Sequence, residues 1–209
     1  MGRIATQILM GDHQDNSIRW PHTGAVLAGG QSSRMGRPKQ EMVLADGRTM
    51  LEAVVEVLAC VCERVVIIGS RELVRHDPKI MIIEDRRLQC GPLGGIEVLL
   101  GSGIDSQYLI SACDVPRIGG ELLRLLADAP ANALAIVPHV VGREHAEPLP
   151  ARLSADALPV VTQLLDQGHR AVWRLMRELD ATEIPIPADW SNQLLNINTP
   201  EGLGQLHDR

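Results

Sequence analysis

The chain is expected to adopt an α/β fold, a three-layer Rossmann-like arrangement with a mostly parallel sheet and helices on both faces. Three observations lead there. Apolar runs such as Val65-Val66-Ile67-Ile68 and Ile80-Met81-Ile82-Ile83 lack the alternation of a half-exposed strand, so they read as strands covered on both faces. Segments with apolar residues at three- and four-residue steps separate them. Glycines or carboxylates follow the strands directly, at the ends where open parallel sheets bind ligands.

The elements follow in order. Residues 24–27 form a short continuous apolar strand that runs into Gly29-Gly30. Met50, Leu51, Val54, Val55, Leu58 and Cys62 mark an amphipathic helix. The strand at 65–68 closes on Gly69, and the one at 80–83 closes on Glu84-Asp85. A short helix is expected over 94–100. The strand at 108–110 runs into Ser111-Ala112-Cys113-Asp114, with a helix over 121–127 and a strand over 134–137. Beyond that the rhythm loosens. Glu147-Pro148-Leu149-Pro150 reads as an edge strand or a loop, because two prolines cannot donate to a ladder. Residues 155–166 and 171–179 read as helices split by Gly168, and 184–187 as extended chain. Thr199 is an expected N-cap, with Pro200 in the first turn of a last helix.

Composition narrows the function. The chain has 209 residues, which suits one domain, and its 45% hydrophobic and 22% charged residues exclude intrinsic disorder. A net charge of −6 gives no broad field for a nucleic-acid backbone. Three Trp, one Tyr and no Phe leave no stacking platform for single strands. No apolar run approaches the roughly 20 residues that span a bilayer. Cys60, Cys62, Cys90 and Cys113 lack metal-ligand spacing and read as reduced, buried thiols, with Cys60 and Cys62 on a helix. Residues 1–22 are polar and patternless and lack a secretory leader, so they read as a poorly ordered extension of a cytoplasmic protein. Residues 23–209 then form a single domain.

The most informative segment is Leu27-Ala28-Gly29-Gly30-Gln31-Ser32-Ser33-Arg34-Met35-Gly36-Arg37-Pro38-Lys39. Its glycines allow close backbone approach to a ligand, and Arg34, Arg37 and Lys39 supply the local positive charge a polyphosphate needs. A glycine turn with a solvated basic edge fits the composition equally well. The spacing is not a P-loop, since Arg37-Pro38 separate Gly36 from Lys39, and it is not the G-x-G-x-x-G dinucleotide fingerprint.

This segment resembles the signature L-A-G-G-x-S-x-R-M-G-x-x-K of nucleotidyltransferases that move a nucleoside monophosphate onto a phosphate-bearing acceptor. Gly91-Pro92-Leu93-Gly94-Gly95-Ile96, Cys113-Asp114-Val115-Pro116, Glu147-Pro148-Leu149-Pro150-Ala151 and Asn196-Ile197-Asn198-Thr199-Pro200-Glu201 follow in order. Together they resemble the molybdenum cofactor guanylyltransferase family, over about residues 23–206. The resemblance implies the nucleotide-diphospho-sugar transferase type of fold, with a nucleotide-binding half at 23–137 and an acceptor-binding half at 138–209.

The resemblance also implies an activity, transfer of GMP from GTP to the terminal phosphate of molybdopterin or its molybdenum-loaded form, releasing pyrophosphate. Lys39 and Arg34 would meet the phosphates, and Asp114 would be the Mg2+ ligand. Leu27, Ala28, Gly29, Gly30, Lys39, Asp85 and Asp114 would bind GTP. Molybdoenzyme chaperones and the metal-insertion protein would be partners. The family often carries an Asn after the second strand, where this chain has Gly69-Ser70, and an Asp after Thr-Pro-Glu, where it has Gly202. His139, His145 and His169 read as surface or structural. Rival readings are a relative using CTP or a sugar phosphate, a non-catalytic nucleotide-binding scaffold, and a dinucleotide oxidoreductase.

Overall fold

A computed structural model describes residues 19–28, 42–69, 80–85, 87, 90–130 and 132–197. Gly29, Gly30, Arg34, Lys39 and the Thr199–Pro200 cap lie outside the described residues, as do residues 1–18.

The first strand, β1 (Trp20–Leu27), is buried from Thr23 onward. Helix α1 (Met50–Val61) opens with a capping box. Thr49 Oγ1 accepts from Glu52 N at 3.1 Å, and Glu52 Oε2 accepts from Thr49 N at 2.7 Å. Just before it, a tight turn at Gly47, with φ of 87°, lets Leu44 N donate to Arg48 O at 2.7 Å. The helix gives way without a loop to β2 (Cys62–Ile68), so Cys62 starts a strand rather than ending the helix the periodicity suggested. Cys62 belongs to the same apolar face as Leu58 and Val61, which is why the helical spacing extended to it.

Strand β3 (Met81–Ile83) is the sheet's edge, and Met81 is half exposed, so this run is not covered on both faces as expected. Helix α2 (Gly91–Leu100) starts three residues before its predicted start, on Gly91 with φ of 64°. Strand β4 (Gln107–Ala112), helix α3 (Gly120–Ala127) and strand β5 (Ala135–Val140) follow. Residues 147–150 form a loop that contains the cis Leu149–Pro150 bond. It leads into β6 (Ala151–Ser154), a strand the periodicity did not reveal. A 3-10 turn and α4 (Leu158–Asp166), α5 (Val172–Glu178), β7 (Thr182–Ile186) and a 3-10 segment over Ala188–Leu194 complete the described residues.

The seven strands form one sheet in the order β3-β2-β1-β4-β6-β5-β7. Only β6 runs against its neighbours. Two apolar cores sandwich the sheet. One joins residues of α2, α4 and α5 to Ala25, Ile68, Tyr108 and Leu153. The other joins residues of α1 and α3 to Val26, Ile67, Leu109 and Ile136. Alternate residues of each central strand therefore serve opposite cores, and the three-layer α/β expectation holds.

Two polar features lie away from the ligand edge. At the amino end of β1, Asp105 accepts from Thr23 Oγ1 at 3.0 Å and pairs with His22 Nδ1 at 2.7 Å. Burial works against that charge, yet His22, Thr23 and the Ser106 amide hold the Asp105 carboxyl below its ordinary range. The four cysteines are free, and Cys60 is exposed rather than buried. The Cys62 thiol is pushed up to about 12, mainly by burial and secondarily by Asp105.

Candidate active site

The chain leaves β1 toward β2 on one side and returns to β4 on the other, so the order reverses beside β1. In an open parallel sheet the crevice at such a reversal receives the ligand. The register defines its floor. Leu27 pairs with Ile68 and with Ala112, and Ile68 pairs with Ile83, so four strands end in line. Asp85 and Asp114 each sit two residues past their strand ends, on β3 and β4, with the ends of β2 and β1 between them.

Leu27 and Ala28 are buried, at 6% and 2% exposure. Leu27 O accepts from Cys113 N at 3.2 Å, and Ala28 N donates to Ile68 O at 2.8 Å. The backbone entering the glycine loop is thus held from both sides. Leu27's side chain belongs to the core, so only its main chain is placed to face a ligand.

Asp114 is half-buried, and its carbonyl accepts from Ile197 N at 2.8 Å. That bond brings the main chain of the Asn196-Ile197 motif from the far end of the sequence to the end of β4. Nearby, Gln193 Oε1 accepts from Gly119 N at 2.9 Å, just ahead of α3. A Cβ at Gly119 would lie 2.7 Å from Gln193 Oε1, so a side chain there would push the glutamine out of this contact. Spacing alone gave no sign of either contact. Among the described residues, a cleft of about 230 Å³ lies between Leu44, Ala45, Asp46 and Arg48 on one side and Pro116 and Arg117 on the other.

Asp85 Oδ1 accepts from Arg87 N at 3.1 Å. Its carboxylate rests against the first turn of α2, where a Cβ on Gly94 would stand 3.2 and 3.3 Å from the two oxygens. A Cβ on Gly95 would stand 3.0 Å from Ile68 Cγ2 and 3.2 Å from Leu27 Cδ2. The two glycines of this motif therefore do different work. Gly94 admits the Asp85 carboxylate, and Gly95 lets α2 lie close on β1 and β2.

Among the described residues no group of three or more His, Cys, Asp or Glu side chains could form a metal cage. One carboxylate at a strand end is instead the donor set of a magnesium that arrives with nucleotide phosphates. Asp114 fits that chemistry. No helix among the described residues is long and apolar enough to cross a membrane.

Comparison with known proteins agrees with this geometry. The MobA-like NTP transferase domain family matches residues 24–182. The probable molybdenum cofactor guanylyltransferase of Halalkalibacterium halodurans is 32% identical over 192 residues, covering 87% of this chain and 96% of its own. The crystal structure of molybdopterin-guanine dinucleotide biosynthesis protein A from Archaeoglobus fulgidus superposes with a TM-score of 0.71 at 24% identity, covering 88% of this chain and 96% of that one. Rv0371c from Mycobacterium tuberculosis, solved in complex with manganese, superposes at 0.59 with 22% identity over 79% of this chain and 87% of its own. The last two likenesses speak for the fold alone. With the family match spanning most of the sheet, and with Leu27, Asp85 and Asp114 all on its carboxyl edge, the chain is a nucleotidyltransferase that belongs to the MobA-like family of molybdenum cofactor guanylyltransferases.

Proposed function

We propose that this enzyme transfers GMP from GTP to the terminal phosphate of molybdopterin, or of its molybdenum-loaded form. An acceptor phosphate oxygen attacks the α-phosphorus of GTP. The new P–O bond forms as the bond to the β-phosphate breaks, and pyrophosphate leaves. The acceptor is already an anion, so the reaction needs no general base. What the protein must supply is alignment and charge neutralisation.

The observation that carries this reading is the pair Asp85 and Asp114 on the carboxyl edge of the sheet, with the ends of β2 and β1 between them. Asp114 is assigned as the ligand of Mg2+, which when bound neutralises phosphate charge. Rv0371c, which shares the fold, was solved with manganese, and a divalent ion is proposed here by analogy with it. Asp85 is assigned to the nucleotide, together with the backbone of Leu27, Ala28, Gly29 and Gly30. Lys39 and Arg34 are assigned to the phosphates by family match, as cations that offset charge on the departing pyrophosphate. Residues 23–137 are assigned as the nucleotide half and 138–209 as the acceptor half of one domain. Four free thiols suit a cytoplasmic enzyme. Molybdoenzyme chaperones and the metal-insertion protein are its expected partners by family analogy.

The decisive variant is Asp114→Asn, which keeps the shape and removes the charge. Turnover should fall by about 10²–10³-fold or more, with the melting temperature unchanged. An Asn variant with wild-type turnover would sink the assignment. Nucleotide choice is read separately by thermal shift. GTP with Mg2+ at a hundred times its dissociation constant should add about 2.7 kcal/mol, roughly 5–11 °C. A larger shift with CTP or UTP would move the substrate while keeping the chemistry.

A further inference from the structure

Arg87 lies two residues beyond Asp85 and takes part in contacts with three elements. Its amide donates to Asp85 Oδ1 at 3.1 Å. Its Nε meets Glu97 Oε2 on α2 at 2.8 Å, and its Nη1 meets Asp166 Oδ1 at the end of α4 at 2.8 Å. Glu97 stands three residues after Gly94, so both are on one face of α2. The Asp85 carboxylate thus rests on the first turn of that face, while the Arg87 guanidinium grips the next turn.

The second contact reaches the other half of the chain. Asp166 precedes the 167–171 connection to α5, and a Cβ on Gly91 would stand 3.6 Å from Arg170 O in that connection. The segment around Asp85 and the α4–α5 connection therefore meet twice, through the Arg87–Asp166 pair and through Gly91 against Arg170.

We infer that Arg87 is a positioning residue for the nucleotide site: its side chain fixes the turn that presents the Asp85 carboxylate and braces that turn against the acceptor half. The inference rests on the nucleotide role proposed for Asp85. The two arms differ in strength. Glu97 is 17% exposed and Asp166 is 62% exposed, so solvent screens the second arm far more than the first. The Asp166 contact has the aligned N–H···O geometry, but its exposure lets solvent weaken it, so on this inference the sheltered Glu97 arm carries most of the hold.

The test is a double-mutant cycle read by GTP binding with Mg2+ on the full chain, alongside melting temperature. Asp85→Asn is expected to weaken GTP by about ten-fold, the size of a lost charge-assisted contact. Arg87→Ala should weaken it about three- to ten-fold, and Glu97→Gln should reproduce most of that while Asp166→Asn changes it less than about two-fold. Arg87→Lys, which can grip one carboxylate, should recover part of the loss. The double variant Asp85→Asn with Arg87→Ala should bind no worse than Asp85→Asn alone. Additive losses, or unchanged binding in Arg87→Ala and Glu97→Gln, would overturn the inference while leaving Asp85 in place. Unchanged binding in Asp85→Asn would remove the reading beneath it, and the inference too. Should Arg87→Ala fold poorly, Glu97→Gln alone decides, since it keeps the arginine and takes away its better-sheltered partner.

Discussion

The two halves of the sheet are built differently. In β2, β1 and β4 the central residues are apolar and fully covered: Ala25, Val26, Val66, Ile67, Leu109 and Ile110 are all at 0–1% exposure. Their carboxyl ends meet through backbone bonds and close glycine packing. The half formed by β6, β5 and β7 also buries apolar residues, with Ile136, Leu153 and Ile186 at 0% exposure, and adds ties from long polar side chains. Arg152, buried at 3% exposure, donates to the carbonyls of Ala127, Ala129 and Pro130 and so ties β6 to the end of α3. His139 bridges β5 to Glu183 on β7, and Arg143 bridges to Glu147 across the following loop. Both halves are held by apolar burial, and the second adds specific polar partners to it.

The comparison breaks most visibly at Arg152. Burial pushes its pKa down, but guanidinium stays charged, so the cost of removing it is three carbonyls left without their donor. Arg152→Leu should cost about 2–4 kcal/mol, a drop of roughly 5–15 °C in melting temperature. Ile67→Val, a conservative trim in the first half, should cost only about 0.5–1.5 kcal/mol. Equal losses in the two variants would show that the polar ties matter no more than one methylene of core.

Within the first half, adjacent glycines sharpen the contrast between packing and function. Gly95→Ala would press a methyl to 3.0 Å from Ile68 Cγ2, inside the core, and should destabilise by about 1–3 kcal/mol with little change in KM for GTP. Gly94→Ala meets the Asp85 carboxylate, which can swing away, and Cys90 Cβ at 3.0 Å, which must give slightly; about 1 kcal/mol of helix propensity offsets that cost. Its melting temperature should hold while KM for GTP rises several-fold. Steady-state kinetics beside thermal melts separates the two. The reverse pattern would remove Asp85 from the nucleotide site.

The same difference explains what the sequence made legible. Strands β1, β2 and β4 were readable because burial on both faces leaves an uninterrupted apolar run, whereas the reversal of strand order beside β1 is set by the crossovers and shows only in the sheet itself. Strand β6 was not readable. Its four residues, Ala151 to Ser154, include an arginine and follow two prolines, and only the distant carbonyls at 127–130 make that arginine a core residue. Asp85 and Asp114 were found through motifs at strand ends. Arg87, Gln193 and Ile197 act through contacts 79, 74 and 83 residues away or less, and no local pattern encodes such pairings.

The smallest expected effect lies at His139. Sequence spacing read this histidine as surface or structural, and the structure gives it two acceptors. Its Nδ1 faces Glu183 Oε2 at 2.5 Å and its Nε2 faces Arg143 O at 2.9 Å. An imidazole donates from both nitrogens only when protonated, so this geometry favours the charged ring. The Arg143 carbonyl first, and then Glu183, raise its pKa above the ordinary 6.5, against a small desolvation effect. The remaining charges nearby are the Arg143–Glu147 pair and the exposed Glu144 and His145. A raised folded-state value means the tie is fully present below the unfolded value of about 6.5 and is lost as pH rises through the folded value. Amide exchange over residues 141–147 should therefore speed up above that range, beyond the intrinsic rise with pH, while β1 and β2 show no such step. In His139→Gln the step should vanish, because glutamine carries no titrating proton. A step that survives the substitution would place the titration elsewhere and leave the loop held by Arg143 and Glu147 alone.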